Sequence, residues 1–225
     1  MRQDRYHRVV ERSQYSPAAV VVFDLGGVLA PTGRSLTALA DALEVPENDL
    51  AGPYWAYRDA YDLGAGAAEY WYRVTAALGR SPDAGLVGRL DEIDVECWTE
   101  IAADAAALLA DLAARGIPLG VLSNAPASLA RAVRAAAWSP LFRTLVFSSD
   151  LGMMKPDPLI YRAADAELGV SPSDVVFFDD RPVNVEAARE HGWRAHVWTG
   201  CEQARAVLAG ETVLASLASE DGVDG

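Results

Sequence analysis

Four segments of this chain end in residues that could share one reaction: an acid, a hydroxyl, an ammonium and a pair of acids. Asp24 lies in FDLGGVL, directly after the apolar run Ala18 to Val22; Ser123 and Asn124 lie in LSNAP; Lys155 lies in GMMKPDP; Asp179 and Asp180 lie in FFDDRPVN. A carboxylate at the edge of a core is costly without a cation or hydrogen-bond donors, and the two glycines after Asp24 let backbone groups approach whatever it binds. Adjacent aspartates repel each other unless something compensates them. Mg2+ takes a few carboxylates together with waters and substrate phosphate, so Asp179 and Asp180 facing Asp24 would make an octahedral site, with Asp180 as direct ligand and Asp179 behind it, turned toward Lys155. The alternative is that one aspartate caps the following helix and the other pairs with Arg181. Asn184 is placed to hold that loop. Ser123 precedes a helix, where a hydroxyl and free backbone N–H groups can receive a phosphoryl group, or where a serine serves only as a cap.

Lys155 stands out by composition. The chain has 18 arginines and a single lysine, so the preference for Arg is broken at this position alone. A compact ammonium on a flexible stem can touch an aspartate and a phosphoryl oxygen together, where a planar guanidinium is too bulky; chance survival of one lysine is the competing explanation. Pro156 and Pro158 restrict the backbone around it.

These groups need elements to bring them together. Five short apolar runs have strand character: Ala18 to Phe23, Ile117 to Leu122, Leu145 to Phe147, Val175 to Phe178 and Arg194 to Trp198. Helical stretches lie between the later ones, at Ala127 to Ala136, Leu159 to Leu168 and Pro182 to Glu190, with Pro182 suited to a first turn. Such alternation predicts an α/β fold with a doubly wound parallel sheet, a Rossmann-like core, whose ligands sit beyond the carboxyl ends of the strands. The first interval breaks the rhythm, since about 90 residues with no strand separate the first two strands. The chain therefore divides into an arm at 1–16, a core at 17–31 and 101–210, an inserted helical cap at 32–100 and an acidic tail at 211–225. Within the cap, Ser81-Pro82-Asp83 starts a helix, and Ala103 to Arg115 is the sheet helix that follows the cap. The cap holds five of the eight tyrosines; Tyr54, Tyr57 and Tyr61 share one helix face, and Tyr70, Trp71 and Tyr72 surround another helix. A stripe of this kind reads as packing before pocket.

Composition narrows the partners. A net charge of −13 and the absence of Lys/Arg clusters exclude a nucleic-acid-binding surface. The same field would repel an anionic substrate unless a local cation, most simply a bound divalent metal, offset it; the acidity also serves solubility. The arm carries net +2, with Arg2, Arg5, Arg8 and Arg12 against Asp4 and Glu11. No apolar run approaches the roughly 20 residues of a membrane span, and Cys97 and Cys201 have no metal-ligand spacing; both point to a cytoplasmic protein without disulfides or a membrane partner.

The motifs FDLGGVL, LSN, GMMKPDP and FFDDRPVN, in this order, resemble the four motifs of the haloacid dehalogenase-like superfamily, and the helical insert resembles its small cap. The resemblance spans about residues 18–200. It implies a hydrolase in which Asp24 attacks phosphorus to give an aspartyl-phosphate, Ser123, Asn124 and Lys155 hold the phosphorylated substrate, and Mg2+ is bound by Asp24, the carbonyl of Gly26 and Asp180, with Asp179 close by. One position departs from the family pattern. Gly26 stands where the family usually has a second Asp serving as proton donor, a role worth roughly 10²- to 10⁴-fold in rate. The expected function is thus a Mg2+-dependent phosphatase for a small phosphorylated metabolite, favouring good leaving groups. Two alternatives stand beside it: a metal-free 2-haloacid dehalogenase, whose halide leaves unprotonated, and a phosphate- or protein-binding module without turnover. The residues do not indicate which metabolite it is, nor an oligomeric state.

Overall fold

The computed structural model describes residues 20–210; the expected arm at 1–16, the first residues of the expected first strand and the acidic tail at 211–225 lie outside the described residues. Five strands form one sheet: β1 (Val20–Phe23), β2 (Leu119–Ser123), β3 (Thr144–Phe147), β4 (Val175–Asp179) and β5 (Arg194–Val197). Their order is β3-β2-β1-β4-β5 and every pairing is parallel. β1 is therefore central, flanked by β2 and β4, and the strand order reverses on either side of it. A ligand-binding crevice forms at such a point.

β1, β2 and β4 are buried along their whole length, as near-continuous apolar strands covered on both faces should be. One face packs Val21, Phe23, Leu119, Val121, Val176 and Phe178 against α6 (Ala103–Ala114), α7 (Ala127–Ala135) and α11 (Cys201–Gly210). The other packs Val20, Val22, Val175 and Phe177 against α9 (Pro158–Leu168) and α10 (Pro182–His191). The second strand begins two residues later than its apolar run because Pro118 has no N–H for the ladder, and it ends on Ser123 itself. Asp157 caps α9, accepting from the Leu159 N–H at 2.9 Å, with Pro158 in the first turn. The stretch after β3 contains one short helix, α8 (Ser148–Leu151).

Between β1 and α6 lie α1 (Arg34–Leu43), α2 (Glu47–Ala56), α3 (Arg58–Asp62), α4 (Ala67–Ala77) and α5 (Ala84–Thr99). Leu39, Leu43, Leu50, Tyr54, Tyr61, Tyr70, Trp71 and Leu90 form an apolar cluster of their own there. Asp83 caps α5, accepting from the Leu86 N–H at 2.7 Å, as expected from Ser81-Pro82-Asp83. Tyr54, Tyr57 and Tyr61 do not share one continuous helix: the chain breaks at Tyr57 (φ −112°, ψ 2°) between α2 and α3. Tyr54 and Tyr61 are nevertheless both buried, as is Tyr70, which stacks on Tyr61 with ring centroids 4.3 Å apart. The tyrosines are packing, and Tyr72 is exposed. Among the described residues no helix is long and apolar enough to cross a membrane, and both cysteines are free thiols.

Candidate functional site

The carboxyl ends of β1, β2 and β4 bring the expected side chains to one place. The Asp24 amide donates to the Phe178 carbonyl at 2.9 Å, which holds the residue after β1 beside the end of β4. Asp24 and Asp179 are both buried, and Lys155, reaching in from the loop after α8, is 1% exposed. The Lys155 Nζ lies 3.0 Å from Asp24 Oδ1 and 2.7 Å from Asp179 Oδ2, and donates to the Leu122 carbonyl at 2.8 Å. Its three N–H groups thus have three acceptors on three strand ends. A planar guanidinium could not meet that arrangement in a space closed to solvent.

The charges at this centre are unevenly matched. Burial pushes the Asp24 carboxyl up to about 6, and the like charge of Asp179 adds to the rise, while Lys155 and a hydrogen bond from Ser123 pull it down. Burial also works to lower the Lys155 ammonium, but Asp179 and Asp24 outweigh it and raise it, so it stays charged. Asp180 is raised by its partial burial and by Asp179, against Lys155 and Arg181. One ammonium serves three carboxylates.

Asp179 and Asp180 have different surroundings although they are adjacent. Asp179 has both oxygens occupied: Oδ1 accepts from the Arg181 N–H at 2.8 Å and from Asn184 Nδ2 at 3.0 Å, Oδ2 from Lys155 Nζ and from Asn184 Nδ2 at 3.1 Å. Asn184 therefore does hold this loop, through Asp179. Asp180 is exposed and lies over the loop after β1. A Cβ on Gly27 would stand 2.5 Å from Asp180 Oδ2, and the backbone there has φ +72°, so only glycine fits on both counts. One carboxylate oxygen each of Asp24, Asp179 and Asp180 can be chosen so that all lie within 4.8 Å of one another. All-oxygen donors with surplus negative charge, on carboxyls raised by burial and by the like charge of Asp179, fit a hard divalent cation. Asp24 and Asp180 have the capacity to hold it directly, while Asp179 is committed to Lys155 and Asn184.

Ser123 is buried at the end of β2 and faces Asp24. Asn124, expected at the substrate, has its amide on the Lys155 backbone: Nδ2 donates to the Lys155 carbonyl at 2.9 Å and Oδ1 accepts from the Lys155 N–H at 2.8 Å. It lines the same cavity as Lys155, and its geometry positions the lysine. Gly26 lies in the tight loop closed by Ala30, whose N–H donates to the Leu25 carbonyl at 2.7 Å.

Over these groups is a cavity of about 440 Å³ whose far wall comes from the cap. Trp55, Arg58, Asp59, Asp62 and Trp98 line it, and sequence reading singled out none of them. Arg58 is buried and donates from Nε to Asp62 Oδ1 at 2.9 Å and from Nη1 to Asp94 Oδ2 at 2.8 Å and to the Tyr54 hydroxyl at 2.6 Å. The Trp98 indole N–H is shared between Asp94 Oδ1 and the Tyr54 hydroxyl, each at 3.0 Å. The network ties three helices together and sets Trp98 over the first loop: a Cβ on Gly26 would stand 3.1 Å from Trp98 Cζ3. The spacings Arg58/Asp62 and Asp94/Trp98, each i,i+4, were the available signal, but they resemble any helix-surface pair. The Ser148 hydroxyl, donating to the Asp62 carbonyl at 2.6 Å and accepting from the Ala125 N–H at 2.9 Å, links this wall to the core.

Known proteins resemble this chain in sequence and fold. A family model described as haloacid dehalogenase-like hydrolase matches residues 18–192. The chain is 35% identical over 186 residues to a phosphoglycolate phosphatase of Rhodospirillum rubrum, covering 76% of each protein. It is 28% identical over 180 residues to an N-acetylmuramic acid 6-phosphate phosphatase of Pseudomonas aeruginosa, covering 76% of this chain and 77% of that protein. Among solved structures, the L-2-haloacid dehalogenase of Xanthobacter autotrophicus shares the fold with a TM-score of 0.65 at 23% identity, over 86% of this chain and 83% of that one.

Proposed function

The chain belongs to the haloacid dehalogenase-like hydrolases and is an enzyme, and from that premise we propose that it is a Mg2+-dependent phosphatase of a small phosphorylated metabolite, with Asp24 as the nucleophile. The observation that carries this reading is the single ammonium of Lys155 set between Asp24 at 3.0 Å and Asp179 at 2.7 Å, with the exposed carboxylate of Asp180 beside them. A halide-displacing site has a use for Asp179, which holds Lys155, but little use for Asp180 beside it. A phosphoryl-transfer site uses Asp180 with Asp24 to hold a divalent cation.

Asp24 and Asp180, with the carbonyl of Gly26, would hold the Mg2+, which supplies positive charge for the phosphoryl oxygens. An Asp24 oxygen forms the new bond to phosphorus, the ester oxygen departs with the electrons of the broken bond, and water then cleaves the aspartyl-phosphate to return the carboxylate. Lys155 keeps Asp24 ionised and fixed, and shares its ammonium with a phosphoryl oxygen on the Asp24 side. Ser123 donates to another phosphoryl oxygen, and Asn124 and Asp179 position Lys155. Gly26 offers no proton to the departing oxygen, so esters with good leaving groups turn over faster than simple alkyl esters.

Phosphate release from phenyl phosphate and from a simple alkyl phosphate, with and without Mg2+, tests the reading. Metal-dependent release that Asp24→Asn abolishes is the expected result; release that survives Asp24→Asn, or that ignores chelation, overturns it. The glycine at position 26 also favours a second reading, hydrolytic dehalogenation through attack of Asp24 on carbon, because halide needs no acid. Chelator-resistant halide release from a 2-haloacid would establish that reading in place of the first.

A further inference from the structure

We propose that the group esterified to the phosphate is an uncharged aromatic ring, which makes the substrate a phenolic phosphate monoester received by Trp55 and Trp98 of the cap. The inference rests on the phosphatase reading for where the phosphoryl group sits, and three separate observations carry it further.

The first is the wall. Beyond the phosphoryl centre the cavity is lined by two indoles together with Leu25, Leu129 and Met154. Trp98 is 8% exposed and fixed through its N–H by Asp94 and Tyr54. Trp55 is 52% exposed, yet the Tyr54 ring meets it perpendicular at a centroid distance of 4.8 Å. A large aromatic face held in place at the mouth of a cavity is a ready stacking surface for a flat apolar ligand.

The second is charge. The cap contributes one cation to the cavity, Arg58, and it is enclosed by Asp62 and Asp94. Asp59 adds a further carboxylate. A substrate with a second anionic group would meet acids in the cap with no surplus positive charge, and burying such a group unpaired is costly. Lys155 is likewise committed to Asp24 and Asp179, and Arg181, which belongs to the core and not the cap, acts on Asp180 beside it in the sequence.

The third is the leaving group. A Cβ at position 26 would stand 3.1 Å from Trp98 Cζ3, so an acid there is crowded by the cap wall and needs the indole to give. A phenolate, with a conjugate acid near pKa ~10, departs without protonation far more readily than an alkoxide. The same indole therefore crowds the acid's position and receives the ring that makes the acid dispensable.

Binding of phenylphosphonate and methylphosphonate to the full chain with Mg2+, followed by calorimetry, tests the wall without turnover. Aromatic contacts worth ~0.5–1.5 kcal/mol each convert to about 2- to 12-fold per indole, so phenylphosphonate should bind about 4- to 140-fold tighter. Trp55→Ala should remove about 2- to 12-fold of that preference, and Trp55→Phe should restore most of it. Equal affinity for the two phosphonates, a Trp55→Ala loss that is the same for both, or tighter binding of phosphonoacetate than of phenylphosphonate overturns the inference. If the preference for phenylphosphonate holds and yet no phosphate is released from phenyl phosphate, the aromatic site stands and the phosphatase reading falls.

Discussion

Restoring an acid at position 26 should fail on its own and succeed only when Trp98 is reduced. In Gly26→Asp the new Cβ meets Trp98 Cζ3 at 3.1 Å, with Cε3 at 3.6 Å and Cη2 at 3.7 Å, so the indole has to shift to admit the side chain. Overpacking of this kind costs ~1–3 kcal/mol. Trp98 cannot yield freely, because its N–H is shared between Asp94 and Tyr54, and breaking that contact adds about 0.5–1.5 kcal/mol. A destabilisation of roughly 2–4 kcal/mol is expected for Gly26→Asp, read as a lower urea midpoint. Adding Trp98→Leu should return part of it, so that the double variant is less destabilised than the two single variants summed, by about 1 kcal/mol or more. The same double variant should gain rate on a simple alkyl phosphate, up to roughly 10²-fold at the low end of what a general acid supplies, while Gly26→Asp alone gains little. A single Gly26→Asp protein as stable as its parent and about 100-fold faster on the alkyl ester would show that Trp98 is no obstacle, and would undo the account of why position 26 is empty.

The paired acids should separate by experiment: Asp180→Asn is expected to weaken Mg2+ dependence about tenfold or more with little change in the metal-free urea midpoint, whereas Asp179→Asn, which disturbs the buried contacts to Lys155 and Asn184, should lower that midpoint; equal effects would refute the division of roles. Lys155→Met leaves Asp179 and Asp24 unpaired in a buried space and should cost ~3–5 kcal/mol along with all phosphate release, and Lys155→Arg should rescue neither; a functional arginine variant would refute the three-acceptor argument. Burial holds the Asp62 carboxyl up at about 6 against an ordinary 3.8, despite the pull of Arg58. The folded state therefore keeps that proton longer than the unfolded chain, and the resulting contribution, about 3 kcal/mol at most, is present below pH 4 and lost as pH rises to about 6. Asp62→Asn should flatten the fall in stability between about pH 4 and 6, measured by urea unfolding against the parent, and an unchanged slope would contradict the assignment.

The chain's sheet could be read before its cap wall because the two depend on different kinds of information. Strands buried on both faces must be continuous apolar runs, so VVVF and VVFF announce themselves, and the polar residue ending each run marks its carboxyl edge. That is why Asp24, Ser123, Lys155 and Asp179 could be placed together from their order alone. The strand boundaries moved by a residue at β3, β4 and β5 and by two at the start of β2, where Pro118 intervenes. The cap wall is different: Arg58, Asp62, Asp94 and Trp98 meet because α2, α3 and α5 pack at particular angles, and no periodicity in the sequence encodes which faces touch. The tyrosine stripe illustrates the same limit. Its burial was legible, but the break at Tyr57 was not.

The electrostatics of the centre explain why a strongly acidic chain would keep its single lysine where it does. A nucleophilic carboxylate must be ionised at working pH, yet burial has pushed Asp24 up to about 6 and Asp179 pushes it the same way. Without Lys155, the largest opposing influence, it would rise further and sit protonated. The ammonium cannot be exposed, since water would screen it, and it cannot be a guanidinium, since its acceptors lie on β1, β2 and β4 around one point. Even so, burial and the like charge of Asp179 leave Asp180 raised as well. A divalent cation on the exposed side of Asp24 would lower both acids at once, and a dianionic phosphate arriving there would meet positive charge instead of the chain's net −13. The acid cluster is thus unfavourable in isolation and coherent as one half of a site whose other half is a metal and a phosphate.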